Sequence, residues 1–118
     1  MYTTSQLDQD VLAVVTTTAT GKDPNGRHKA ISAYGVCARL SKALADHFIA
    51  LGGVGGKGGK VVPGVPTFTQ AVQHSLKRLM AAGKVRHFYE DTTAVSFDIH
   101  GHHVQPSYPV MAVYQYVP

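Results

Sequence analysis

Gln70, Gln73, His74 and Lys77 lie within eight residues of one another, with Arg78 directly behind them. At helical spacing they share one flank and its border, and all are hydrogen-bonding or cationic side chains. Glutamine can pair with both polar edges of adenine in a major groove, and lysine or arginine can bind guanine or phosphate. A plain solvated helix face would also carry Gln, Lys and Arg, but glutamate is an equally good helix former. None stands between Thr67 and Tyr89. The missing acid turns this flank toward a polyanionic partner.

Other stretches offer competing chemistries. "GGVGGKGGK", starting at Gly52, packs six glycines and two lysines into nine residues. A phosphate-binding loop needs G-x-x-x-x-G-K-[ST]. Here the first glycine would fall at Leu51 or Val54, and Gly58 or Val61 follows the lysine. No strand feeds the loop, so a dinucleotide fingerprint fails as well. The segment 52–66 is therefore expected as a linker, or as a basic flap whose Lys57 and Lys60 touch backbone phosphates. "HGHH" at 100–103 suggests imidazole ligands, but a structural zinc site needs four donors and the single cysteine, Cys37, lies far away in sequence. A strand end and loop is the simpler reading. Cys37 falls on an apolar stripe, where a cysteine acts as a small core residue. No cofactor is expected.

The elements that must hold these residues follow from periodicity. Ser5 can cap a first helix whose Leu7, Val11, Val14, Val15 and Thr18 share a face, ending before the turn "GKDPNG" at 21–26. Ser32 can cap a second. There Ala33, Cys37, Leu40, Leu44, Phe48 and Leu51 form one apolar stripe, with Gly35 on the polar side. The spacing predicts one long helix over 33–51. Thr67 and Gln70 make a capping box for a third, over 68–82, with Phe68, Val72, Ser75, Leu76 and Leu79 buried and Gly83 as terminator. The period then changes to two. Val85–Glu90 and Val95–His100 are expected to pair as a hairpin around "EDTT", and 110–117 to form a third strand or an arm.

The composition allows one domain over 118 residues, with a core large enough to need no disulfide. Eleven Lys and Arg against seven Asp and Glu give a net charge of +4. No apolar run of membrane-spanning length occurs, and the first residues, "MYTTSQLDQD", lack a basic region followed by an apolar block. A cytoplasmic setting without membrane contact is expected.

The order of these elements resembles the winged helix-turn-helix family, most closely where the polar-faced helix passes through "AAGKV" into a strand. The resemblance covers roughly residues 5–100 and implies an α+β fold of three helices and a hairpin wing. It implies that the third helix enters the major groove of double-stranded DNA. Thr69, Gln70, Gln73 and His74 would then read base edges, and Lys77, Arg78, Lys84 and Arg86 would hold phosphates. Two features depart from the family. About fifteen residues separate the second and third helices where a tight turn is usual, and the expected wing tip "EDTT" is acidic. Gln70 also has competing duty in the capping box.

The function expected is sequence-specific DNA binding in transcriptional, plasmid or phage control, without catalysis. A winged-helix module for protein contacts is the rival, favoured by the acidic tip. A small metal-dependent enzyme using the late histidines is a distant third. Tyr108, Tyr114 and Tyr116, among Val110, Met111 and Val113, would suit an arm over 104–118 that packs on a second subunit. A homodimer is expected on that ground.

Overall fold

The computed structural model describes residues 2–19, 30–59, 61–92, 95–108 and 110–117. Four helices and five strands appear among them, in an α+β arrangement. The expected turn at 21–26 and Lys60 lie outside the described residues.

Helix α1 spans Thr4–Ala19. Its cap is Thr3, not Ser5. The Thr3 hydroxyl accepts the Gln6 N–H at 3.1 Å, and Gln6 Oε1 accepts the Thr3 N–H at 3.2 Å. This is the reciprocal pairing that Ser5 could not make, since Ser5 already lies inside the first turn. Leu7, Val11 and Val15 are buried as the periodicity requires.

The triplet "AIS" is a strand, β1 (Ala30–Ser32), leading directly into α2 (Ala33–Arg39). Ser32 caps α2 by accepting the Gly35 N–H at 3.1 Å. The single helix expected over 33–51 is in fact two. Leu40 and Ser41 are extended, and Ser41 caps a new helix, α3 (Lys42–Gly52), by accepting the Leu44 N–H at 3.2 Å. A serine side chain competes with the helical backbone for such N–H groups, so it can restart a helix where the apolar stripe shows no gap. Leu40 and Leu44 stay buried across the break, but Leu51 ends up 54% exposed. Gly35 is also not on a polar face: it is buried, and a Cβ there would sit 2.8 Å from Ile31 Cγ1.

Helix α4 spans Phe68–Ala81 with the predicted capping box and buried stripe. Gly83, at φ +75°, ends it. The Gly83 N–H reaches the Met80 carbonyl and the Lys84 N–H reaches the Leu79 carbonyl.

The strands pair differently from expectation. β2 (Val85–Asp91) joins β5 (Val110–Tyr116) antiparallel over its whole length, from Val85 opposite Tyr116 to Asp91 opposite Val110. β1 pairs with the other side of β5, giving the order β1-β5-β2. The residues expected to pair with β2 instead form a small separate hairpin, β3 (Phe97–Ile99) with β4 (His102–Val104). Its turn is His100 and Gly101, at φ +49° and +89°, held by Asp98 Oδ1 accepting the Gly101 N–H at 2.8 Å. β5 takes the central place because it is apolar on both faces: Val113 is buried on one and Tyr114 on the other. Within the segment expected as an arm, residues 110–116 carry the sheet's middle strand.

One core joins these parts. Leu7, Val11 and Val15 of α1 meet Val36 and Cys37 of α2, Leu44 of α3, and Phe68, Val72 and Leu76 of α4, with Ile99, Val104 and Tyr114 from the strands. Phe48 stacks on Phe68 and Tyr34 on Phe97. No described helix is long and apolar enough to cross a membrane.

Candidate nucleic-acid interface

The start of α4 is closed by the glycine loop. Gln70 donates its backbone N–H to the Thr67 hydroxyl at 3.2 Å and returns Oε1 to the Thr67 N–H at 3.0 Å. The Phe68 N–H is taken by the Gly53 carbonyl at 2.9 Å and the Thr69 N–H by the Val54 carbonyl at 3.1 Å. A helix N-terminus binds phosphate through free N–H groups. Here the loop supplies the acceptors itself, so no anion cradle is left.

The glycines of this loop serve close approach. Gly55, at φ +98°, runs against the Thr67 and Thr69 hydroxyls, and a Cβ there would collide with Thr69 Oγ1. A Cβ on Gly56 would come within 2.7 Å of the Gln105 carbonyl, to which Lys57 donates its N–H at 2.7 Å. The loop is therefore a strap bonded both to α4 and to the β4–β5 connection. Lys57 remains exposed on it.

Of the ten residues singled out from the sequence, the nine that are described separate accordingly. Gln70, His74 and Lys77 are exposed along α4 and Gln73 is half-buried beside them; no Asp or Glu occurs on the helix. Thr69 is only 3% exposed, its hydroxyl 3.2 Å from that of Thr67, so it cannot reach a base. Arg78 is committed to α1. Its Nε donates to Asp8 Oδ2 at 2.9 Å and its Nη2 to Oδ1 at 2.8 Å, while Ser75 Oγ donates to the same carboxylate at 2.6 Å. This guanidinium, helped by the serine, holds the Asp8 carboxyl below its usual range against the opposing effect of burial. Arg86 donates to Gln115 Oε1 at 2.7 Å and lies over the Phe88 ring. Strand alternation puts it on the face opposite His87 and Tyr89, away from α4. Lys84 is exposed just beyond the helix.

Beside Gln73 and Lys77 a cleft of about 250 Å³ opens between α4 and the sheet, walled by Tyr34, His87, Tyr89, Tyr108 and Tyr114. Burial, with Tyr89 nearby, raises the Tyr114 hydroxyl above its usual pKa, so it stays protonated and able to donate. The sequence showed the late tyrosines but not this meeting, because it depends on β5 lying between β1 and β2.

Among the described residues no group of three or more His, Cys, Asp or Glu stands close enough to hold a metal ion. Cys37 is wholly buried, and burial pushes its thiol far above the range in which it ionises. Comparison with known proteins finds no matching family model, no matching curated protein and no matching solved structure.

Proposed function

We propose that this chain is a winged-helix protein that binds duplex DNA, with α4 in the major groove, and acts in transcriptional, plasmid or phage control in the cytoplasm. The observation that carries the reading is the open, acid-free flank of α4 formed by Gln70, Gln73, His74 and Lys77. From Gln70 to Lys77 it runs about 10 Å along the axis, at about 1.5 Å per residue, which suits a groove about 12 Å wide. The order of helical frame, α4 and antiparallel strands supports the same fold.

Gln73 and His74 are the base readers in this mechanism. Gln70 contributes less because its Oε1 is engaged at the cap. Lys77, Lys84 and Lys57 are the phosphate contacts, since Arg78 has its own carboxylate and Arg86 faces away. Three contacts imply a salt slope of roughly −3 per binding unit. Anisotropy titration of random and selected duplexes at two salt concentrations tests this. Gln73→Ala with His74→Ala is expected to abolish the preference for selected sequence while leaving random binding. A double variant that keeps the preference removes α4 as the reader.

A second reading, a module for protein contacts, rests on the exposed Phe88, Tyr89, Tyr108 and Val110. Absence of duplex binding at low salt would favour it.

A further inference from the structure

We propose that β2 is an interface strand through which two copies of this chain pair edge to edge, antiparallel, with Phe88 opposite Phe88 of the second copy. The inference is independent of DNA binding, and it moves the dimer contact from the C-terminal segment to the sheet's edge.

Exposed sheet edges invite pairing, and proteins commonly blunt them with proline, lysine, bulges or very short strands. β2 has no proline, lysine or bulge and is not short, and its exposed Arg86 and Glu90 are of opposite sign. It runs seven residues, "VRHFYED", in unbroken register with β5. Among the described residues no strand pairs with its outer side. The opposite edge, β1, is only three residues long. Along β2, Phe88 is 50% and Tyr89 66% exposed, and Arg86 and Glu90 are exposed as well.

The residue order identifies the occupant. In an antiparallel pair of identical strands, outward-bonding residues must face outward-bonding residues, so the twofold axis passes through a residue and its own copy. Centred on Phe88, the middle of β2, the pairing overlaps the full strand. Arg86 then faces Glu90 of the second copy, and Glu90 faces its Arg86. Phe88 meets Phe88 on that same face. On the other face His87 meets Tyr89, a pair of rings that already approach within 5.2 Å inside one chain. Shifting the register by two residues in either direction loses both Arg86–Glu90 pairs and the Phe88–Phe88 contact, and an opposite charge for Glu90 is then found only at Lys84, beyond the strand's end. Opposite charges and aromatic pairs placed directly across strands are favourable, and like charges there are not. Within β2 itself, the register centred on Phe88 is the one that sets Arg86 against Glu90 and Phe88 against Phe88.

The twofold axis stands perpendicular to the sheet, so each face continues across the junction. A six-stranded sheet results, with both α4 helices beside the same face.

The test is the association state of the whole protein by sedimentation equilibrium, without DNA, together with thermal melts to confirm folding. Wild type is expected to dimerise. Glu90→Arg sets arginine against Arg86 twice per dimer, and Arg86→Glu sets glutamate against Glu90. Each is expected to weaken association by about tenfold or more. An equimolar mixture of the two variants restores both opposite-charge pairs, as does the double exchange R86E/E90R, and both are expected to regain dimer. A second measurement is spontaneous disulfide formation by Phe88→Cys under mild oxidation, with exposed Val61→Cys as the control; the buried Cys37 does not interfere. Covalent dimer from Phe88→Cys alone supports the register. A monomeric wild type, a dimer indifferent to both single exchanges, or failure of the mixture to rescue overturns the proposal. Equal cross-linking from Val61→Cys overturns it as well.

Discussion

Residues 67–69 at the start of α4 are buried, with the backbone N–H groups of Phe68 and Thr69 taken by loop carbonyls, whereas Gln70, His74 and Lys77 on the same helix are exposed. Both regions are polar enough in sequence to suggest a ligand. The difference comes from the glycine-rich chain before the helix, where the Gly53 and Val54 carbonyls serve as a cap. A glycine loop next to a helix N-terminus is thus a phosphate site only when its N–H groups, not its carbonyls, face the gap. Here it secures the helix end and leaves the flank open.

Substitutions should separate the two regions by kind as well as by size. Phe68→Ala, at the closed end, removes a fully buried ring and is expected to cost about 3–5 kcal/mol in denaturant unfolding. Gly55→Val collides with Thr69 Oγ1 and forces a branched residue to a φ of +98°, so a loss of about 2–4 kcal/mol is expected. Gly58→Ala also sits at positive φ but meets nothing within 4 Å, and about 1 kcal/mol is expected. A similar cost for both glycine changes would show that φ, and not close approach, explains the strap.

The Asp8–Arg78 pair bounds the open flank. The folded-state pKa of Asp8 lies below its ordinary value of 3.8. Its stabilisation is therefore fully present above about 4 and lost as pH falls through the lowered folded value. Wild type is expected to exceed Asp8→Asn by roughly 1 kcal/mol at pH 7, with the gap closing below pH 4 in melts across that range. A gap that persists unchanged at acid pH would mean the carboxylate's charge is not what matters. The smallest effect on stability belongs to Lys77→Ala, within about 0.5 kcal/mol of wild type. Its effect is expected in DNA binding instead, with the salt slope reduced by about 1 for every sequence. If Lys77→Ala were to unfold the protein, the distinction between the two regions would fail.

Helix α4 was legible in the sequence because its signals are local: Thr67 and Gln70 at one end, Gly83 at the other, and an apolar stripe between. The break at Ser41 was not, since Leu40 and Leu44 keep a helical interval across it while one serine hydroxyl redirects the backbone. Gly35 was misplaced for a related reason: its neighbour is Ile31, in a strand that three residues of sequence barely announce. The pairing of β2 failed hardest. Period-two alternation marks a strand but does not name its partner, and nearness in sequence favoured Val95–His100 over a segment some fifteen residues farther on. Of the site, the exposed flank followed from composition. The withdrawal of Thr69, Arg78 and Arg86 depended on contacts with the strap, α1 and β5 that no local pattern encodes.

The central position of β5 has a consequence for how the fold assembles. β1 and β2 both precede residues 110–116 in the chain, and among the described residues each has β5 as its only sheet partner. The four helices can pack on one another without it, but the sheet must wait for the strand that links its two edges. A chain cut short ahead of Val110 would lack that strand and leave the β5-facing edges of β1 and β2 open to pairing with other chains.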